Sequence, residues 1–424
     1  MELLPHQIQA VRTISSKNTF MLADAPGLGK TLTALSVAAS DRHLLSSEIS
    51  VIAPRNVLPH WRATADTLGR AFKETLFTNY EQVHKHLPRL NACKFLILDE
   101  SHYLKNVTSK RFKIISRICQ RIDLKVLALT GTPVFSYPLD LFGQLYCLRL
   151  IRGDEYHAFR LRYCNPKTMK MRGRIWVDYR GCTIANMPEL KAKFAPYVLR
   201  RDWKDVGLSM PPLTMTDMEV EAEGLTGSPE YLAAANDFGQ WYKDTTGKDS
   251  TGLEQFTVLR RLLGLAKVPA VLDFLDEEIP SGMKFLIFSE FREPAEILAK
   301  AILEKCSSTF LVMGGQSESY RANVFNAFSQ SQAPAVMVAT TDSLNVGVNL
   351  QAATRIYFLD VGFKPASFVQ AVHRAWRIGQ PSPVSVVRFV VKDSMDEFVT
   401  KNVLTKESYM GALGLGNTVS LGSR

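Results

Sequence analysis

Asp24-Ala-Pro-Gly-Leu-Gly-Lys-Thr31 follows the apolar Phe20, Met21 and Leu22 and precedes a helix-prone run. Strand, glycine turn and helix in that order are what a phosphate loop requires. Gly27 and Gly29 let backbone N–H groups close round an anion. Lys30 brings a cation to terminal phosphate oxygens, and the Thr31 hydroxyl suits Mg²⁺. Asp24 stands where a first glycine is usual, Ala25 and Leu28 fill intervening positions, and Pro26 removes one backbone donor. A second cluster is Lys94 to His102, an apolar run that ends in two adjacent carboxylates. Asp99 suits Mg²⁺, and Glu100 is placed to orient and deprotonate an attacking water. Alone, each motif has a bland reading, a solvated Gly-Lys-Thr loop or an acidic turn. Together in one lobe they point to hydrolysis of a nucleoside triphosphate. A third cluster, Gln370 to Gln380, carries Arg374 and Arg377 three apart, which predicts one helical face. Two guanidinium groups presented together can stabilise charge on a γ-phosphoryl group in transfer.

Short apolar runs that must position these groups recur at 51–54, 94–99, 126–130, 284–289, 336–341 and 355–360. Bounded by polar or turn residues, they predict buried parallel strands. Amphipathic stretches such as Leu32 to Ala39 and Ala295 to Leu303 lie between them, so the expected fold class is α/β with both sheet faces covered. The pattern occurs twice, and 424 residues exceed what one core usually supports, so two lobes are expected. The division predicted is a first lobe over 1–213 with a basic insertion at 149–204, a connecting segment over 214–262, and a second lobe over 263–424. Pro211, Pro212 and the glycines between Gly224 and Gly252 mark the connection, and a tail from Gly411 is expected to fray.

The chain has a formal charge of +10. From Arg149 to Lys204 there are fourteen Lys and Arg against five Asp and Glu, a local net of +9. Such an excess favours an anionic partner through counterion release. The six cysteines are scattered without a CxxC pair, so neither structural zinc nor a disulfide framework is expected. No run of about 18 apolar residues occurs and no basic-then-apolar leader opens the chain, which predicts a soluble, unexported protein with no membrane partner.

The order and wording of these blocks resemble the Swi/Snf-type ATPases of helicase superfamily two. Leu3 to Gln7 resembles the Q motif, Ala23 to Thr31 motif I, Ile52 to Trp61 motif Ia, and Asp99 to Asn106 the Asp-Glu-x-His box. Leu129 to Pro133 is similar to motif III, Lys284 to Phe291 to motif IV, Thr340 to Leu350 to motif V, and Gln370 to Gln380 to motif VI. Arg162 to Asn165, Leu199 to Val206 and Leu259 to Ala270 are closest to the compact annealing helicases of that family. The resemblance implies two RecA-like lobes, ATP and Mg²⁺, and translocation on duplex or branched DNA without sequence preference, in repair, recombination or replication. It further implies Gln7 at the adenine, Gly347 at the nucleotide, Arg374 and Arg377 as arginine fingers, and Arg55, Tyr80 and Thr340 near the tracked DNA strand. Arg172 and Arg174, in the basic segment with Tyr156, Tyr163, Trp176 and Tyr179, suit phosphate contacts and stacking. The family pattern is departed from at Ala25-Pro26, at Val134 to Tyr137, at Leu344-Asn345 and at Phe363-Lys364-Pro365. A strand-separating helicase, or a nucleic-acid-binding scaffold with weak ATPase, is the alternative. So short a motor suits a bacterial or viral source and a cytoplasmic location, or a nuclear one in a eukaryote.

Overall fold

A computed structural model describes residues 2–134, 136–171, 174–220, 229–237, 240–241, 244, 253–344, 348–392 and 394–415. The chain divides into two compact units, Met1–Ser209 with Lys406–Thr418, and Met210–Thr405 with Val419–Arg424.

The first unit is built on β1 (Thr19–Leu22), β2 (Ile49–Ala53), β3 (Leu76–Asn79), β4 (Phe95–Asp99), β5 (Lys125–Leu129) and β8 (Val198–Leu199). They form one sheet in the order β3-β2-β4-β5-β1-β8, every pair parallel. Nearly every residue of β1 to β5 is buried, because helices cover both faces and leave no solvated side for polar alternation. The helix Lys110–Cys119 shows how the covering works. Ser109 caps it by accepting the Phe112 N–H at 3.3 Å, and Phe112, Ile115, Ile118 and Cys119 turn inward.

The basic insertion forms a helical layer with its own core, in which Phe159, Tyr163, Cys164, Cys182, Leu190 and Phe194 pack together. It carries a separate antiparallel hairpin of β6 (Lys167–Met171) and β7 (Arg174–Asp178). Met410, Leu413 and Leu415 join that core. The tail therefore does not fray at Gly411: Leu413 and Leu415 gain more by burial than the small residues around them lose in ordering. Residues beyond 415 lie outside the described chain.

The second unit holds β9 (Leu213–Val220), β10 (Lys284–Ser289), β11 (Thr309–Val312), β12 (Ala335–Thr340), β13 (Arg355–Phe358) and β14 (Val384–Val391). Their order is β11-β12-β10-β13-β14-β9, again wholly parallel. The segment read as a connection over 214–262 supplies part of this body. β9 pairs with β14 from Leu213↔Val384 to Val220↔Val391, and the helix Leu253–Glu278 buries Leu262, Leu263, Val271 and Leu275 against the sheet. As an edge strand, half solvated, β9 alternates Thr, Asp and Glu with Met and Val and so lacks the apolar run of a central strand. The glycines at 224, 227, 247 and 252 lie outside the described residues.

Candidate functional site

At the C-terminal end of β1 the chain turns through Ala23 to Gly29 into the helix Lys30–Ser40. Gly27 has φ 89° and Gly29 φ 75°, backbone that side chains rarely adopt. At Gly29 the need is doubled, since an added Cβ would fall 2.2 Å from Gln7 Nε2. Gln7 is itself buried. Its Oε1 accepts the Leu4 N–H at 2.9 Å and its Nε2 donates to the Leu28 carbonyl at 3.4 Å, so both ends of the amide brace the loop. The Lys30 ammonium donates to the carbonyls of Asp24 at 2.8 Å and Ala25 at 3.2 Å. Burial lowers its pKa, against the opposing pull of Glu100, Asp24 and Asp99.

β4 delivers Asp99 and Glu100 to the same sheet edge. Burial, then the neighbouring Glu100, pushes the Asp99 carboxyl up to about 6, with Trp61 acting in the other direction. The Trp61 indole Nε1–H donates to Asp99 Oδ2 at 2.7 Å, and the Glu100 N–H to Oδ1 at 3.0 Å. Glu100 has φ 49° and ψ 52°, a left-handed conformation that costs a non-glycine residue about 1–2 kcal/mol. The turn Ser101–Leu104 holds it there, with the Tyr103 N–H donating to the Glu100 carbonyl at 2.9 Å. Strain kept at such a point is typical of functional sites. Glu100 Oε2 lies 3.2 Å from His102 Nδ1, which is also 3.2 Å from Thr130 Oγ1 after β5. The Ser101 hydroxyl donates to Gln144 Oε1 at 2.8 Å, and Gln144 Nε2 to the Pro133 carbonyl at 2.6 Å. The ends of β4 and β5 are thus tied together. Gly143 permits it, because a Cβ there would lie 2.1 Å from the Leu104 carbonyl oxygen.

Three residues that carried no site assignment close the loop from the far side. The short β8 pairs with β1, and the N–H groups of Ala23 and Ala25 donate to the carbonyls of Leu199 at 2.7 Å and Arg201 at 2.8 Å. The Arg201 guanidinium grips Asp24 in a buried bidentate pair, Nε to Oδ1 at 3.1 Å and Nη2 to Oδ2 at 2.5 Å. Arg200 donates to the Ala23 and Gly131 carbonyls at 3.1 and 3.3 Å, and Trp203 Nε1–H to the Pro26 carbonyl at 3.2 Å. Asp24 is therefore an anchor of the loop. The only signal was the Leu199 to Val206 block, whose place beside β1 no linear reading shows.

Several assignments made from the sequence need correction. Tyr80 is fully buried, stacks on Tyr103 at 5.1 Å, and donates its hydroxyl to the Asp99 carbonyl at 2.7 Å; it supports the end of β4. Thr340, 5% exposed, ends β12 opposite Ser289, and its carbonyl accepts the Ser343 hydroxyl. Arg374 and Arg377 do not share a helical face. The helix Pro365–Val372 ends before them and the backbone goes on in turns, with the Arg374 and Ala375 N–H groups donating to carbonyls three residues back at Ala371 and Val372, and Gly379 turning at φ 91°. Burial lowers the pKa of Arg377. Arg55 is exposed, lining a cavity of about 330 Å³ with Pro54, Asn79, Glu81, Gln82 and Tyr103. Gly347, Arg172 and the Arg174 side chain lie outside the described residues. Among those described, no helix is long and apolar enough to cross a membrane.

A glycine loop at a helix N-terminus, with a lysine facing two strand-end carboxylates on a parallel sheet, has the form of a phosphate-binding site. A family model for the SNF2-related domain matches residues 68–224, and one for the helicase conserved C-terminal domain matches 266–379, together more than half of the chain. The chain thus carries an SNF2-related domain followed by a helicase conserved C-terminal domain. It is 28% identical over 436 residues to the SWI/SNF-related matrix-associated actin-dependent regulator of chromatin subfamily A-like protein 1 of Xenopus tropicalis, covering 97% of this chain and 45% of that protein. To the DNA annealing helicase and endonuclease ZRANB3 of Bos taurus it is 25% identical, covering 93% of this chain and 39% of that one. The chain thus spans less than half the length of either. Among solved structures, the Sulfolobus solfataricus SWI2/SNF2 ATPase core in complex with dsDNA is similar at a TM-score of 0.42 and 21% identity, over 95% of this chain and 91% of that one. These animal relatives lend no support to a bacterial or viral source.

Proposed function

We propose that the chain is a DNA-stimulated ATPase, a motor that couples ATP hydrolysis to movement along duplex or branched DNA. The observation that carries this reading is the meeting of Lys30, Asp99 and Glu100 at one desolvated sheet edge, beside a loop that only glycines can form. In that role Gly27 to Thr31 present backbone N–H groups and the Lys30 cation to the β- and γ-phosphates of the substrate. The hard oxygens of Thr31 and Asp99 fit Mg²⁺, which when bound supplies neutralisation of phosphate charge. Glu100 takes the proton of the attacking water, and the His102 contact orients its carboxylate. Gln7 touches the loop through Leu28 and links base recognition to it. The family likeness assigns Arg374 and Arg377 to the transferring phosphoryl group, Gly347 to the nucleotide, and Arg55, Arg172 and Arg174 to the DNA backbone. The relatives named for annealing activity favour rewinding or remodelling over strand separation.

The test is steady-state ATP hydrolysis with no nucleic acid, single-stranded DNA, blunt duplex and a fork, at matched low salt. Stimulation by duplex or fork is expected, with turnover lost and nucleotide binding kept in Arg377→Ala. Hydrolysis indifferent to every DNA overturns the reading.

A further inference from the structure

Four aromatic residues of the basic insertion, Tyr156, Tyr163, Trp176 and Tyr179, suit stacking on sequence grounds, and the fold disposes of three. Tyr163 is buried and donates its hydroxyl to Glu189 at 2.7 Å. Tyr156 and Tyr179 both face the Arg160 guanidinium, at 4.5 and 4.4 Å from their ring centroids. Trp176 remains, 39% exposed, on β7 directly opposite Met169, itself 40% exposed. Ile175 at 67% and Val177 at 44% lie open on the other face of the ribbon. A two-stranded ribbon with both faces in water gains little from burial, so these side chains are not there to make a core.

The ribbon is nonetheless firmly rooted. At its base Arg180 pairs with Asp178 through Nε at 2.9 Å and Nη2 at 3.0 Å, and a Cβ on Gly181 would lie 2.8 Å from the Cys164 carbonyl oxygen. Its described charges favour an anion: Lys167 and Lys170 are exposed, while the one acid, Asp178, is already paired. The surrounding insertion holds fourteen basic against five acidic residues. A rigid support that offers one indole face, an apolar neighbour and flanking cations matches a polymer with planar bases between phosphates. In duplex DNA those base faces are already stacked on their neighbours.

We propose that the β6–β7 ribbon binds unpaired nucleotides, with a base stacked on Trp176 beside Met169 and an adjacent phosphate on Lys167, which shares that face of the ribbon. The assignment rests on the DNA reading above and adds to it a contact specific for single strands, as at the arm of a fork.

Fluorescence anisotropy of labelled single strand, fork and blunt duplex, with the full chain at matched low salt, tests this. Trp176→Ala is expected to weaken single-strand and fork binding about tenfold, the loss of one base–aromatic stack, and to leave blunt-duplex affinity within about twofold. Trp176→Phe, which keeps a ring, is expected to recover most of the loss. Lys167→Ala should lower the salt dependence of single-strand binding by about 1 in slope, and Lys170→Ala, on the opposite face, by less. Equal binding of all three DNAs by Trp176→Ala and wild type, or an equal loss on all three, overturns the ribbon assignment alone. So does sedimentation showing that Trp176→Ala dissolves a self-association, because the ribbon is then a protein interface. A wild-type chain that binds none of the DNAs overturns the DNA reading and the ribbon with it.

Discussion

The two parallel sheets of this chain end in similar ways and do different things. At the edge of the first, β1 and β4 deliver Lys30, Asp99 and Glu100. At the matching edge of the second, after β10 and β13, the Asp360 carboxylate is buried and held by the Ser289 hydroxyl at 2.7 Å and the Glu290 N–H at 2.6 Å. Burial raises the pKa of Asp360, and also that of Glu290, as it does for Asp99. The difference lies in the connection that follows the strand. Seven residues with two left-handed glycines separate β1 from its helix, and their N–H groups can wrap an anion. Only Glu290 and Phe291 separate β10 from the helix Arg292–Leu303, too short a turn to form such a cradle. A shared scaffold thus carries an open glycine loop beside three charged groups at one edge and a closed hydrogen-bonded knot at the other, and the loops decide which.

The sharpest way to break this comparison is to neutralise the corresponding acids. Glu100→Gln is expected to cut turnover by about 10²–10⁴ in single-turnover hydrolysis while nucleotide binding, followed by fluorescence, stays. Glu290→Gln should leave turnover near wild type; equal losses would erase the distinction between the edges. Next in size is the loop's anchor. Arg201→Ala leaves Asp24 buried without its partner, and a stability loss of about 3–5 kcal/mol in denaturant unfolding is expected. Arg388→Ala in the second unit, where the Asp217 partner is 38% exposed, should lose clearly less.

A smaller effect concerns pH. Because the folded Asp99 titrates at about 6, above its ordinary value, the folded chain holds a proton there that the unfolded chain has released. Its contribution to stability therefore falls as pH rises from about 4 through 6, whereas turnover at subsaturating Mg²⁺, where proton and metal compete for the carboxylate, is expected to rise over the upper part of that window. A pH–rate profile flat between pH 5 and 7 would argue against Asp99 as a ligand. The least effect is expected from Trp61→Phe. Removing the indole donor takes away a contact that lowers the Asp99 pKa, so the acid limb of the profile should move to higher pH, with the alkaline plateau retained.

Much of the site was legible because its chemistry is local. Lys30 and Thr31 follow their glycines in line, and Asp99 and Glu100 end an apolar run, so neighbours in sequence are neighbours in space. The six predicted strands were legible for the same reason, being buried on both faces. β9 was not, because an edge strand keeps a wet side. Arg374 and Arg377 misled because their spacing fits a helix, while the backbone from His373 to Gly379 runs in turns that no spacing signals. Tyr80 misled because an aromatic residue after a strand looks the same whether it faces solvent or, as here, gives its hydroxyl to a buried carbonyl.

What the amino-acid order determined by itself is the pair of α/β lobes and the placing of Lys30, Asp99 and Glu100 at strand ends, since burial pattern and loop chemistry are set by a few consecutive residues. Only the tertiary structure decided that Asp24 belongs to Arg201, 177 residues away, that Trp61 and Tyr80 serve Asp99, and that Trp176 alone of its aromatic neighbours stays open. Those outcomes depend on which side chain fills the space beside which strand. That is a property of packing between distant segments, which no local pattern encodes.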